Sequence, residues 1–236
     1  MTTGLAMMGL TLLVAGFVQG STGFGFALIS GPVIGLVQPL LLPVILLIEA
    51  IPLNSYVAWR ERHHLDRTGA KWTSAGRLVG TFGGLWVLLA VTERQLSVLI
   101  GVCTVLAVLA TLCVPAFAPG RRAFVIAGLI TGVTETSTGI GGPPLAVVYQ
   151  HRAAPVVRST VSVIFVIGEL ISLVILAVSG KVSEHQVSTA ILLLPAALVG
   201  AYASRFAHHR LEGPAMRYTV LGFALVSGVV VAAQAL

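Results

Sequence analysis

Two phrases of nearly the same chemistry, Ser21-Thr22-Gly23-Phe24-Gly25 and Ser137-Thr138-Gly139-Ile140-Gly141, interrupt an otherwise apolar chain. Glycine lets a backbone N–H approach a ligand closely, and a helix that starts just after a break presents unpaired N–H groups and a positive dipole end. With Ser and Thr hydroxyls as further donors, each phrase has the makings of an anion cradle. The candidate binding residues are Ser21, Thr22, Gly23 and Gly25 in the first copy and Ser137, Thr138, Gly139, Gly141 and the adjoining Gly142 in the second. Three acids, Glu49, Glu135 and Glu169, lie in or beside apolar stretches. An acid at mid-bilayer costs a few kcal/mol even on translocon scales, so its position points to a proton relay or ion site. The plainer reading is a carboxyl kept neutral in a polar helix contact. An acid beside an anion site must be neutral or partnered when the anion arrives.

The elements that position these residues follow from composition. The 236 residues are 56% hydrophobic and 9% charged, too little polar surface to cover a soluble globule of this size. Mean hydropathy is +0.98, and apolar runs of membrane-crossing length recur along the whole chain, which makes this an all-α integral membrane protein. The start, MTTGLAMMGL, lacks the basic n-region of a signal peptide and is read as part of the mature protein. Full spans are expected at 40–59, 72–91, 96–114, 157–178, 186–205 and 215–235. Regions 5–36 and 123–150 are each broken by one of the phrases, and each reads as two half-helices around an unwound joint.

The net charge of +6 would suggest nucleic acid in a soluble domain, but nearly all Lys and Arg fall in short connections. The connections 60–71, 115–122, 151–158 and 205–217 carry the basic residues, whereas 36–40, 92–95 and 179–185 carry almost no excess. Cytoplasmic loops carry that excess, so the first four are expected inside and the last three outside. Region 5–36 then starts and ends outside, region 123–150 starts and ends inside, and both are re-entrant hairpins whose tips approach the midplane from opposite faces.

The phrases lie 116 residues apart, close to half the chain. Gln19 aligns with Glu135 and Gly84 with Gly200 at that offset, and Ile48-Glu49-Ala50-Ile51 resembles Gly168-Glu169-Leu170-Ile171 once a small insertion is allowed. Loop charge inverts between the two copies. The expected architecture is therefore an inverted repeat, residues 1–117 and 118–236, each a broken hairpin followed by three transmembrane helices. Isolated glycines such as Gly101 and Gly222 are read as close-packing positions, and Pro52 as a kink. Trp59, Trp72 and Tyr218 read as interfacial anchors.

Other chemistry is weakly supported. His63, His64, His208 and His209 sit among loop arginines without ligand spacing, Cys103 and Cys113 are read as buried spectators, and no metal or cofactor is expected. No nucleophile–base pair, phosphate loop or dinucleotide fingerprint argues for an enzyme.

The stretches GSTGFGFALISGP and GVTETSTGIGGPPLAV resemble the paired glycine-rich motifs of the sulfite exporter TauE/SafE family of membrane permeases, and the resemblance covers essentially the whole chain. It implies a permease for small sulfur-containing anions such as sulfite, sulfoacetate or other organosulfonates, driven by a proton gradient across the inner membrane. It implies binding at Ser21 to Gly25 and Ser137 to Gly142. Pro143-Pro144 and Phe26 depart from the pattern and point to an asymmetric site. The expected partners are that anion and membrane lipid, not nucleic acid; homodimerisation stays open. A passive anion channel and a non-transporting scaffold subunit remain the alternatives. Single cysteines placed in 36–40 or 92–95 should react with an impermeant thiol reagent from outside intact cells. Labelling of these positions from the cytoplasm would exclude the inverted arrangement.

Overall fold

The computed structural model describes residues 2–113, 118–149, 152–211 and 214–235; the side chains of His208, His209 and Tyr218 are outside what it describes. All regular structure among these residues is helical: α1 Thr2–Thr22, α2 Phe26–Val37, α3 Val44–Arg60, α4 Arg67–Ala90, α5 Glu93–Cys113, α6 Arg121–Thr138, α7 Gly142–Tyr149, α8 Ala154–Val178, α9 Glu184–Leu211 and α10 Pro214–Ala235. One-turn 3-10 helices, Pro39–Leu41 and Arg62–His64, lead into and out of α3.

Both predicted breaks are present, at residues 23–25 and 139–141. The expectation of half-helices on either side is corrected for the first limbs, since α1 has 21 residues and α6 has 18. Their hydroxyl residues do not end the helix. Ser21 and Thr22 donate to the Phe17 and Val18 carbonyls, and Ser137 and Thr138 donate to those of Val133 and Thr134, one turn back. The helix stops only at Gly23 (φ 80°) and Gly139 (φ 83°), left-handed positions that a side chain would strain.

Among the described residues three helices are long and apolar enough to cross a membrane, Thr3–Thr22, Ala154–Val178 and Glu184–Phe206. The first was expected to be half of a hairpin. Large apolar side chains such as Leu10, Phe82, Trp86, Val178 and Leu192 are exposed on the outside of the bundle, as a lipid-facing surface requires. Cys113 is also exposed, because it lies on that outer surface at the end of α5; Cys103 is partly buried.

The connections sort to two ends. Arg158 reaches Glu61 at 3.3 Å, Arg152 lies 4.0 Å from Asp66, and Arg121 stacks over Trp72 at 5.3 Å, so three of the basic connections meet at one end. At the other, Gln186 donates to the Leu40 carbonyl at 2.7 Å, and Leu88 and Val182 pack against Val44 and Leu47.

The α1–α2 hairpin closes at the neutral end, where Gly4 faces Val37, and the α6–α7 hairpin at the basic end, where the Phe124 and Tyr149 rings lie 5.4 Å apart. The tips do not meet head-on. First limbs of about 31 and 27 Å carry them past one another, so that Gly23 packs on Arg158, one turn into α8, and Gly139 on Leu46, near the start of α3.

Glycine makes the closest helix contacts. Gly76, Gly80 and Gly84 of α4 lie against the α6 backbone at Val125, Leu129 and Val133, while Gly128 and Gly132 return the contact to Thr73 and to Arg77 and Thr81. The α1–α9 pair is built the same way, with Gly16 on Ala197, Gly20 on Ala201 and Ser204, and Gly200 on Leu13 and Phe17. Gly101 also packs closely, against Gly228 and Ala232, but Gly222 faces open space and has no packing role. Gly80→Val should therefore lower the thermal midpoint in detergent by about 5 °C or more, whereas Gly222→Val should leave it unchanged.

Candidate functional site

Each break is held from within its own hairpin. Gln19, one turn before the end of α1, accepts from the Phe26 N–H through Oε1 at 3.2 Å and donates through Nε2 to the Gly23 carbonyl at 3.2 Å. The fixed N–H of Phe26 decides which way this amide points. The second break is tied by Thr131, whose hydroxyl donates to the Gly141 carbonyl at 3.1 Å. Thr22 and Thr138 accept from the Phe24 and Ile140 N–H groups, at 3.1 and 3.2 Å. The hydroxyl hydrogens of Ser21, Ser137 and Thr138 point to helix carbonyls, and that of Thr22 to the Val18 and Phe24 carbonyls, so glycine backbone, not hydroxyl, borders the space between the tips.

From Gln19 a polar chain runs across the bundle. Its Nε2 also donates to Asn54 Oδ1 at 2.7 Å, and Asn54 Nδ2 donates to Glu169 Oε1 at 2.7 Å, joining α1, α3 and α8. On the opposite side Glu135, one turn before the second break, forms an ion pair with Arg77 of α4. Arg77 is 1% exposed. Its Nη1 donates to the Ile164 carbonyl at 2.8 Å, and its guanidinium carbon lies 5.4 Å from the centre of the Phe165 ring. Glu169 is within electrostatic reach of both Arg77 and Glu135. Two glycines make this density of charge possible: a methyl group at Gly168 would collide with the Arg77 guanidinium, and one at Gly141 with the Glu135 carboxylate.

Between the tips lies a cavity of about 30 Å³. Gly25, Gly139, Gly141 and Gly142 border it from the breaks, and Gln19, Asn54, Glu135 and Glu169 supply its polar wall. This volume holds a water molecule but not a sulfur oxyanion. The α7 N-terminus faces the cavity through Gly142; Pro143 and Pro144, which follow it, have no N–H to offer.

The structure thus brings Glu135 and Glu169 together at one cavity with the breaks and leaves Glu49 outside it. Glu49 is fully buried on α3, and neither of its carboxyl oxygens has a hydrogen-bond partner among the described residues. Among the described residues no group of three His, Cys, Asp or Glu side chains is placed to hold a metal ion.

Arg77 is the residue that sequence reasoning missed. The signal was available, since an arginine inside the apolar run 72–91 is as costly at membrane depth as the three acids. Its depth is set by Asp66, which caps α4 by accepting from Gly69 N at 3.0 Å and so places Arg77 three turns into the bundle.

A bundle with lipid-facing apolar walls, broken hairpins and a buried ionic centre at their tips defines the class as a helical membrane transport protein. The sulfite exporter TauE/SafE family model matches residues 8–231, and the chain belongs to that family. Comparison with curated proteins and with solved structures gives no match in either.

Gln19→Leu should strand the Phe26 N–H, the Gly23 carbonyl and Asn54 Oδ1 in a buried setting. The expected cost is on the order of 3 kcal/mol, read as a lowered thermal midpoint of the purified protein in detergent.

Proposed function

We propose that the protein is a secondary transporter for small sulfur-containing anions, sulfite, sulfoacetate or another organosulfonate, in the inner membrane. It works by alternating access and couples the anion to protons. The observation that carries this reading is the cavity between the two breaks, where glycine backbone from both hairpins faces two amides and two carboxyls. In this reading Ser21, Thr22, Gly23 and Gly25 and Ser137, Thr138, Gly139, Gly141 and Gly142 form the two halves of the anion site. Ser and Thr shape the breaks and the glycine backbone faces the ligand. Glu135 and Glu169 are the carboxyls that exchange protons at the site, with Glu49 a further carrier on α3.

The inverted-repeat reading, residues 1–117 against 118–236, is supported by packing that recurs at the offset of 116. Gly16 lies on Ala197 and Gly132 on Thr81; Gly200 lies on Phe17 and Gly84 on Val133. Each of these contacts becomes the other when 116 is added to one partner and subtracted from the other. The long limb of each hairpin is thereby bound to a helix of the opposite half, so that rocking of the halves moves both tips together.

The test is flux in proteoliposomes. Radiolabelled sulfite or a sulfonate should accumulate when an inward proton gradient is imposed, and Gly23→Val or Gly139→Val should abolish accumulation while the protein still inserts. Flux that ignores the pH gradient would identify a channel. No flux of any of these anions under either gradient direction would leave only the scaffold reading.

A further inference from the structure

The buried centre contains one guanidinium, Arg77, and two carboxyls, Glu135 and Glu169, within reach of one another. We propose that Arg77 is the cation that binds the substrate anion, and that the Glu135 carboxylate occupies its place until a proton removes it. This rests on the transport reading above and specifies how anion and proton are linked.

The argument is one of charge and geometry. Arg77 turns Nη1 to the Ile164 carbonyl and Nη2 to Glu135, and its buried Nε has no hydrogen-bond partner among the described residues. A carboxylate and a sulfonate or sulfite present the same pair of coplanar acceptors to a guanidinium. Glu135 is therefore an internal stand-in for the ligand, held at the second break where it also borders the cavity.

No added anion can share this centre while Glu135 is ionised, because two negative groups would compete for one cation in a region of low dielectric. The remaining charged or titratable groups do not relieve the conflict. Glu169, facing from α8, adds a second acid; Asn54 and Gln19, from α3 and α1, are neutral; α6 and α7 contribute no cation at this level. Arg158 packs against Gly23 at the first tip but turns its guanidinium to Glu61, and Tyr149 stands against Phe124 at the basic end of the bundle. Uptake of one proton by Glu135 resolves it: the carboxyl leaves the guanidinium, the anion takes its place, and total charge is conserved. A side chain at Gly141 would collide with the Glu135 carboxylate, so the glycine is what admits the carboxylate beside the break.

The test uses purified wild-type protein in detergent with ethanesulfonate, a fixed anion that does not itself titrate. In unbuffered solution containing a pH indicator, saturating ethanesulfonate should alkalinise the medium by about one proton per anion bound. The apparent Kd should rise by about tenfold per pH unit on the alkaline side. Glu135→Gln should bind ethanesulfonate with no proton uptake and a flat pH profile, and Arg77→Gln should not bind it. Binding to wild type without proton uptake overturns the proposal, even if the variants fail to fold. Proton uptake that persists in Glu135→Gln overturns the assignment to Glu135. If wild type binds none of ethanesulfonate, sulfite and sulfoacetate, the transport reading falls and this proposal with it.

Discussion

A guanidinium buried in the middle of a lipid-facing helix bundle is the constraint around which the centre is organised. Arg77 cannot be left uncompensated there, because an unpaired charge in a low-dielectric interior costs several kcal/mol. Glu135 supplies the counter-charge, Ile164 a carbonyl and Phe165 a π face. Each demands close approach of a helix, which explains why α4 and α6 meet along glycines and why residue 168 of α8 has no side chain.

The same economy governs the two breaks. A membrane interior tolerates unwound backbone only where its polar groups find partners or border a wet cavity. At residues 23–25 the amide of Gln19 answers a backbone N–H and a carbonyl at once; at 139–141 the work is divided between Thr131 and Thr138. The two breaks share one construction and differ in the residue one turn before the break. Gln19 is an amide locked to Asn54, whereas Glu135 is a carboxyl held by Arg77. The Gln19 amide thus fastens its own break directly, whereas the Glu135 carboxyl engages Arg77 and leaves its break to Thr131 and Thr138. That difference supplies a physical basis for the asymmetry suggested by Pro143-Pro144.

Much of this was legible in the chain. The breaks, the helical class and the two sets of connections follow from apolar run length, glycine position and loop charge, all of which act locally or through the membrane itself. The hydroxyls of STGFG and STGIG were misread as helix breakers and free donors, because sequence does not reveal that a Ser or Thr near a helix end will bond one turn back. Limb length followed from that error, and with it the expectation that the tips would stop at the midplane.

The sequence by itself determined that the chain is a membrane-embedded helical protein broken twice in the same way, since hydrophobic length and glycine punctuation are properties of the local chain. Only the tertiary structure decided which acids share a site. Glu135 and Glu169 lie 34 residues apart, Arg77 lies 58 residues before Glu135, and Glu49 matches Glu169 by alignment yet stands outside the cavity. Their meeting depends on which glycine faces allow which helices to touch, and on how far each limb reaches before its glycine turns it back.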